Sequence, residues 1–91
     1  MSRKTDEFFN QITSCVENET HVRVHFNSHI KVPVVGKFVY IEDWLELQSK
    51  EFVRFVTDGS ENGYKNANEK MRRSYTLLYK VSDFLLIKPI V

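Results

Sequence analysis

The period of the apolar positions changes along the chain. Phe8, Phe9, Ile12 and Val16 recur at helical spacing and predict a helix over residues 5–18, with Thr5 as its cap and Asp6 and Glu7 suited to the positive end of its dipole. After the polar break Glu17-Asn18-Glu19-Thr20 the period falls to two: Val22, Val24 and Phe26 alternate with His21, Arg23 and His25, the pattern of a half-buried strand. Asn27-Ser28-His29 reads as a turn. The run from Ile30 to Ile41 is β-branched and aromatic but contains Pro33, which cannot donate to a ladder, and Gly36, which permits a sharp bend. It predicts a long strand that starts at an edge and then curves hard. Trp44 to Gln48 and Phe52 to Thr57 predict two further strands, with Ser49-Lys50-Glu51 short enough to join them as a hairpin. Residues 58–73 are polar, hold two of the three glycines and show almost no apolar period, so a long loop is expected there, with room for a helical turn around Asn68 to Arg73. Ser74 to Val81 and Phe84 to Pro89 supply two more strands, with Ser82-Asp83 as a two-residue turn between them.

This order predicts a mainly β domain with an N-terminal helix: a small, strongly bent, five-stranded antiparallel barrel of the SH3-like or OB-like kind, spanning residues 1–91 as a single unit. A chain of 91 residues buries only about 60–65% of the surface its unfolded form exposes, so it must use its apolar residues efficiently or share them with another subunit. Seven Phe, four Tyr and one Trp suit a narrow barrel core. Thirteen Lys and Arg against twelve Asp and Glu leave a formal net charge of +1, too balanced for a broad positive field, so any binding of nucleic acid has to be local. The single Cys15 has no intramolecular disulfide partner, and MSRKTDEFF lacks the apolar run of a secretory signal, which points to the cytoplasm. Apolar runs such as Phe84 to Ile87 fall far short of the roughly 20 residues of a spanning helix, and no membrane association is expected.

Several segments carry a resemblance to a known family. Phe8-Phe9-Asn10 looks like the Phe-Leu-Asn of an N-terminal helix that precedes a first strand, here Val22 to Phe26, and Asn27 to Lys31 is similar to an Asn-Gly-Ile-Lys turn. Gly36 to Leu47 (GKFVYIEDWLEL) is similar to a glycine, strand, aromatic-acid step and next strand, Tyr79-Lys80 to the start of a Tyr-Lys-His motif, and Phe84 to Pro89 to a terminal strand. Together these residues resemble the bacterial host-factor (Hfq) branch of the Sm-like family, the ring-forming RNA-binding proteins, over most of the chain except the long loop. The resemblance implies a strongly bent barrel, self-assembly and binding of single-stranded RNA. The sequence departs from the family where RNA is held: Val81 stands in place of the motif histidine, Thr5 in place of a uridine-contacting glutamine, and Gln11 to Val16 lacks the rim arginines. The resemblance therefore bears on the fold more than on the RNA site.

The candidate chemistry is sparse. His21, His25 and His29 recur every four residues, which on a helix would suggest zinc, but on a strand the same spacing separates neighbours by about 13 Å, so no metal site is predicted. Cys15 reads as a small core or boundary residue, since no base or electropositive setting is local to it. Glu42-Asp43 are adjacent on a predicted strand and point to opposite faces, and Asp6-Glu7 already serve the helix dipole, so neither pair predicts acid–base catalysis. The glycines make no phosphate-cradling pattern. No enzyme activity and no cofactor are expected. Aromatic and basic residues do interleave: Lys37-Phe38, Phe52-Val53-Arg54-Phe55, Tyr64-Lys65, Arg72-Arg73-Ser74-Tyr75 and Tyr79-Lys80. Displayed together, such pairs bind single-stranded RNA by stacking and phosphate pairing; the same alternation also builds an aromatic core under a charged surface. The candidate RNA-binding residues are Tyr79, Lys80, Lys37, Arg72 and Arg73. Phe52 to Val56 and Phe84 to Ile87 are apolar on both faces, more than one small core needs, which predicts strand addition between copies in a ring or other homo-oligomer. The expected function is that of a non-catalytic Sm-like oligomer binding single-stranded RNA; the alternative is a small-barrel scaffold whose partner is another protein.

Overall fold

A computed structural model describes residues 3–29 and 31–90, with side chains described from Thr5 onward. Helix α1 (Arg3–Glu17) leads into a five-stranded antiparallel sheet made of β1 (Val22–Phe26), β2 (Val34–Val39), β3 (Phe52–Thr57), β4 (Leu77–Lys80) and β5 (Phe84–Pro89), in the spatial order β4-β3-β2-β1-β5. Helices α2 (Trp44–Ser49) and α3 (Glu61–Asn66) follow β2 and β3, and short 3₁₀ segments lie at Asp58–Ser60, Arg72–Tyr75 and Val81–Asp83. A mainly β architecture with an N-terminal helix is what the changing apolar period predicts.

Helix α1 buries Phe9, Ile12 and Cys15, and Phe8 and Val16 pack against the same core. It starts two residues before the predicted boundary, so Thr5 is not a cap: it lies within the helix and is itself buried. The other end closes with the backbone bonds Glu19 N–H to Val16 O (3.3 Å) and Thr20 N–H to Cys15 O (2.9 Å), with Glu19 left-handed at φ 51°. That is a Schellman turn, made here without the usual glycine. Two side chains pin the helix across the sheet. Gln11 Nε2 donates to the Ile87 carbonyl on β5 at 2.8 Å, and Thr13 Oγ1 and the Tyr40 hydroxyl share a hydrogen bond of 2.9 Å just beyond β2.

The sheet is tightly curled. β4 and β5 occupy opposite edges, yet only Val81–Asp83 connects them. The four Cα steps from Lys80 to Phe84 reach at most about 14 Å, whereas four strand spacings in a flat sheet measure about 19 Å. The edges must therefore approach each other at this end. At Gly36 the inner strands β2 and β3 come close: a Cβ there would overlap the Val56 carbonyl oxygen and press on Thr57 and the Phe55 ring. The ladder is nevertheless open, since among the described residues β4 pairs only with β3 and β5 only with β1.

Five expectations are corrected. Trp44 to Gln48 is not a strand but most of α2, whose Leu, Glu and Gln residues are good helix formers and whose six residues are too few for the apolar spacing to separate helix from strand. The hairpin across Ser49-Lys50-Glu51 accordingly does not exist: β3 pairs with β2, and α2 lies in their connection. Ser82-Asp83 is likewise no hairpin turn, because β4 and β5 do not pair. The predicted loop 58–73 is largely structured, with α3 and two 3₁₀ segments. Gly63 on α3 lies so close to the Tyr75 ring that a Cβ would overlap it, and the helical turn expected near Asn68 to Arg73 is realised as turn residues 69–71 running into the 3₁₀ segment at Arg72–Tyr75. The second strand begins at Val34 rather than Ile30, and Ile30 lies outside the described residues.

The core is aromatic. Phe84, fully buried, has ring centroids of Phe8, Phe26, Phe38 and Tyr79 at 6.1, 5.7, 6.0 and 6.3 Å, in edge-on or tilted geometry. Val81 is also fully buried. Phe52 to Val56 is an inner strand rather than an edge. Its second face packs on α2 and α3, and Val56 is 2% exposed, so this apolar surface is covered within the chain. No helix among the described residues is long and apolar enough to cross a membrane.

Candidate functional site

The segment from the end of β2 to the start of β4 forms hollows on one flank of the sheet. The Tyr40 and Trp44 rings stack with centroids 4.6 Å apart and planes at 11°. Tyr40 lines two separate hollows in this region. One, of about 230 Å³, is lined by Lys37, Tyr64 and Lys65 among others, and the other, of about 390 Å³, by Trp44, Glu69 and Arg72. The Arg72 guanidinium lies over the Tyr64 ring, 5.5 Å from its centroid, and its Nε is buried without a hydrogen-bond partner. A cation held over an aromatic face beside a flat aromatic pair suits a planar ring carrying negative charge.

The connection that carries Tyr40 and Trp44 is tied to β3 by an ion-pair network. Arg54 on β3 grips Asp43, which stands just before α2, through Nη2 to Oδ2 at 2.7 Å and Nε to Oδ1 at 3.1 Å, and its Nη1 donates to Thr76 Oγ1 at 2.8 Å. Both charged side chains are largely buried. The Arg54 hydrogen bonds hold the Asp43 carboxyl below its ordinary pKa against the opposing effect of burial. One strand thereby orients the start of α2 and the approach to β4 together.

The five residues expected at an RNA site are dispersed. Tyr79 is half-buried in the core, its ring 5.2 Å from Phe26 and 6.0 Å from Phe55. Lys80 is exposed at the end of the β4 edge, opposite Phe52. The Lys37 Nζ is 3.0 Å from Glu61 Oε1. Arg73 is ion-paired, donating to Glu42 at 2.9 Å with Asp43 at 3.8 Å. Of the five, Lys37 lines the smaller hollow and Arg72 the larger one. The sequence reading missed the Tyr40–Trp44 stack, because α2 was taken for a strand and the two rings come together only where β2 runs into a helix. The Tyr64-Lys65 pair was visible as part of the aromatic and basic interleaving, and both residues line the smaller hollow.

Cys15 lies in the core, where burial raises its thiol pKa, the opposite of an activated nucleophile. His21 stands outside both hollows, beside Asp58 and Glu61. The acids around the hollows offset the bases closely: Glu61 takes both Lys37 and Lys65, the latter at 3.3 Å, and Glu42 takes Arg73. Comparison with protein-family models, with curated proteins and with solved structures returned no match to this chain.

Proposed function

We propose that the chain is a non-catalytic, Sm-like subunit of a cytoplasmic homo-oligomer, assembled by antiparallel addition of β4 of one copy to β5 of the next. The observation that carries this reading is the pair of open edges. Leu77 and Leu78 on β4 are 47% and 48% exposed, and Leu85 and Leu86 on β5 are 49% and 41% exposed. Open ladders flanked by exposed leucines invite strand addition, which satisfies backbone donors and acceptors and covers apolar surface at once. The curl of the sheet and the N-terminal helix support the small-barrel resemblance that the sequence suggests.

Single-stranded RNA is the proposed ligand, bound with bases against Tyr64 and the Tyr40–Trp44 stack and phosphates near Arg72 and Lys80. A specific observation favours the second reading, a scaffold whose partner is a protein: Lys37 and Arg73 are already ion-paired and Tyr79 is packed into the core, leaving few free cations for phosphate. The two readings separate in one experiment. Light scattering at low and moderate salt gives the mass, while fluorescent oligo-A and oligo-U are titrated into the same samples. An oligomer that binds either RNA, with affinity falling as salt rises, supports the RNA reading. An oligomer that binds neither at low salt leaves the scaffold, and a monomer overturns the edge-addition proposal.

A further inference from the structure

Of the three histidines, His21 is brought into a cluster of metal-ligating side chains among the described residues. It immediately precedes β1, Asp58 immediately follows β3, and Glu61 opens α3. The rung Val22–Gly36–Thr57 aligns the start of β1 with the exit of β3, and Gly36, with no side chain, lets β2 lie close against β3 between them. His21 Nε2 lies 3.4 Å from Asp58 Oδ1 and 3.6 Å from Glu61 Oε2, with all three donor atoms within 4.8 Å of one another. Around a tetrahedral ion with bonds of about 2.0–2.2 Å, ligand atoms stand about 3.3–3.6 Å apart. Both histidine–carboxylate separations fit that edge length closely.

Glu61 is divided between two tasks. Its Oε1 accepts from Lys37 and Lys65, while Oε2 is the oxygen turned to His21. The two lysines pull its carboxyl down to about 2, so it is ionised at any physiological pH. They also cancel the charge of Asp58 and Glu61, so simple electrostatic attraction does not favour a hard cation here. An imidazole nitrogen with two carboxylate oxygens instead favours a borderline transition metal over magnesium or calcium, which take oxygen ligands.

We propose that His21, Asp58 and Glu61 form a three-ligand site for a divalent transition metal of the zinc type, with its remaining position open to solvent. Bound there, the ion fastens the start of β1 to the segment that leaves β3.

The test is calorimetric titration of the untagged chain with zinc, paired with cobalt absorption spectra. One ion per chain is expected, with visible d–d bands and no thiolate charge-transfer band, and with no comparable heat from magnesium. His21→Gln and Asp58→Asn each weaken binding by about tenfold or more, while His25→Ala and His29→Ala leave it unchanged. All four side chains are at least partly exposed, and far-UV circular dichroism checks that each variant folds. Absence of saturable zinc binding, retention of binding in both His21→Gln and Asp58→Asn, one ion shared between two chains, or a thiolate band from Cys15 would each overturn the proposal.

Discussion

Four aromatic rings surround Phe84. Truncating it to Ala removes a fully buried ring from the middle of the curl and is expected to cost about 3–5 kcal/mol, read from the denaturant midpoint. Electrostatics at residue scale is concentrated in Asp43 and Glu61. Both carboxyls are lowered in the folded state, so the unfolded chain binds their protons more readily and acid favours unfolding. Their stabilisation is complete above the ordinary values of 3.8 and 4.5 and is lost as pH falls through the folded values, about 2 for Glu61. Chemical denaturation between pH 6 and pH 2 should show stability declining below about pH 4.5, with a shallower decline in Asp43→Asn. Arg54→Ala, which leaves the largely buried Asp43 carboxylate unpaired, is expected to cost about 3 kcal/mol at neutral pH.

Among the elements, α1 was the most legible in sequence because four apolar residues over nine positions sample more than two helical turns. The six residues of α2 sample fewer than two, and Trp44, Leu45 and Leu47 fit neither period decisively. Leu45 is 65% exposed, so its apolar character says nothing about which face is buried. The segment after β3 was illegible for a different reason. Its order comes from pairs such as Arg72 with Tyr64 and Tyr75 with Gly63, which join residues eight and twelve apart without any periodic signal. Tyr79 is a milder case: strand alternation does place it inward and Lys80 outward, but an adjacent ring and cation look the same in a core strand and at a binding surface. The end of α1 offers a direct check on the local reading. Glu19 holds a left-handed conformation that glycine adopts without a Cβ penalty, at the cost of a more flexible unfolded chain. Glu19→Gly should therefore be stabilising by about 0.5 kcal/mol, a rise of roughly 2–4 °C in Tm by calorimetry.

At the scale of the whole molecule, the mixture of short strands, turns and an N-terminal helix gave the fold class, while the pairing of the strands did not follow from it. The spacer Ser82-Asp83 has the length of a hairpin turn, yet it joins the two edges that are farthest apart in strand order. What decides between these outcomes is the core: Val81 and Phe84 are both fully buried, and the bend over them lets β5 lie beside β1. The edges left by this arrangement make the assembly proposal testable by single changes. Leu78→Lys or Leu85→Lys places a charge on an exposed edge position, and each should yield folded monomers by light scattering and circular dichroism if β4 meets β5 between copies.

The close packing at Gly36 also bears on the proposed assembly. A contact in which β4 of one copy meets β5 of another is heterologous, and repetition of the same step closes into a ring only when the rotation between neighbours divides a full circle; otherwise it winds into an open filament. That rotation is set by how far the sheet carries one edge around from the other. In the proposed assembly, the close packing of β2 on β3 that Gly36 permits is one of the contacts that fix this angle, and the angle decides between a finite particle and a fibre.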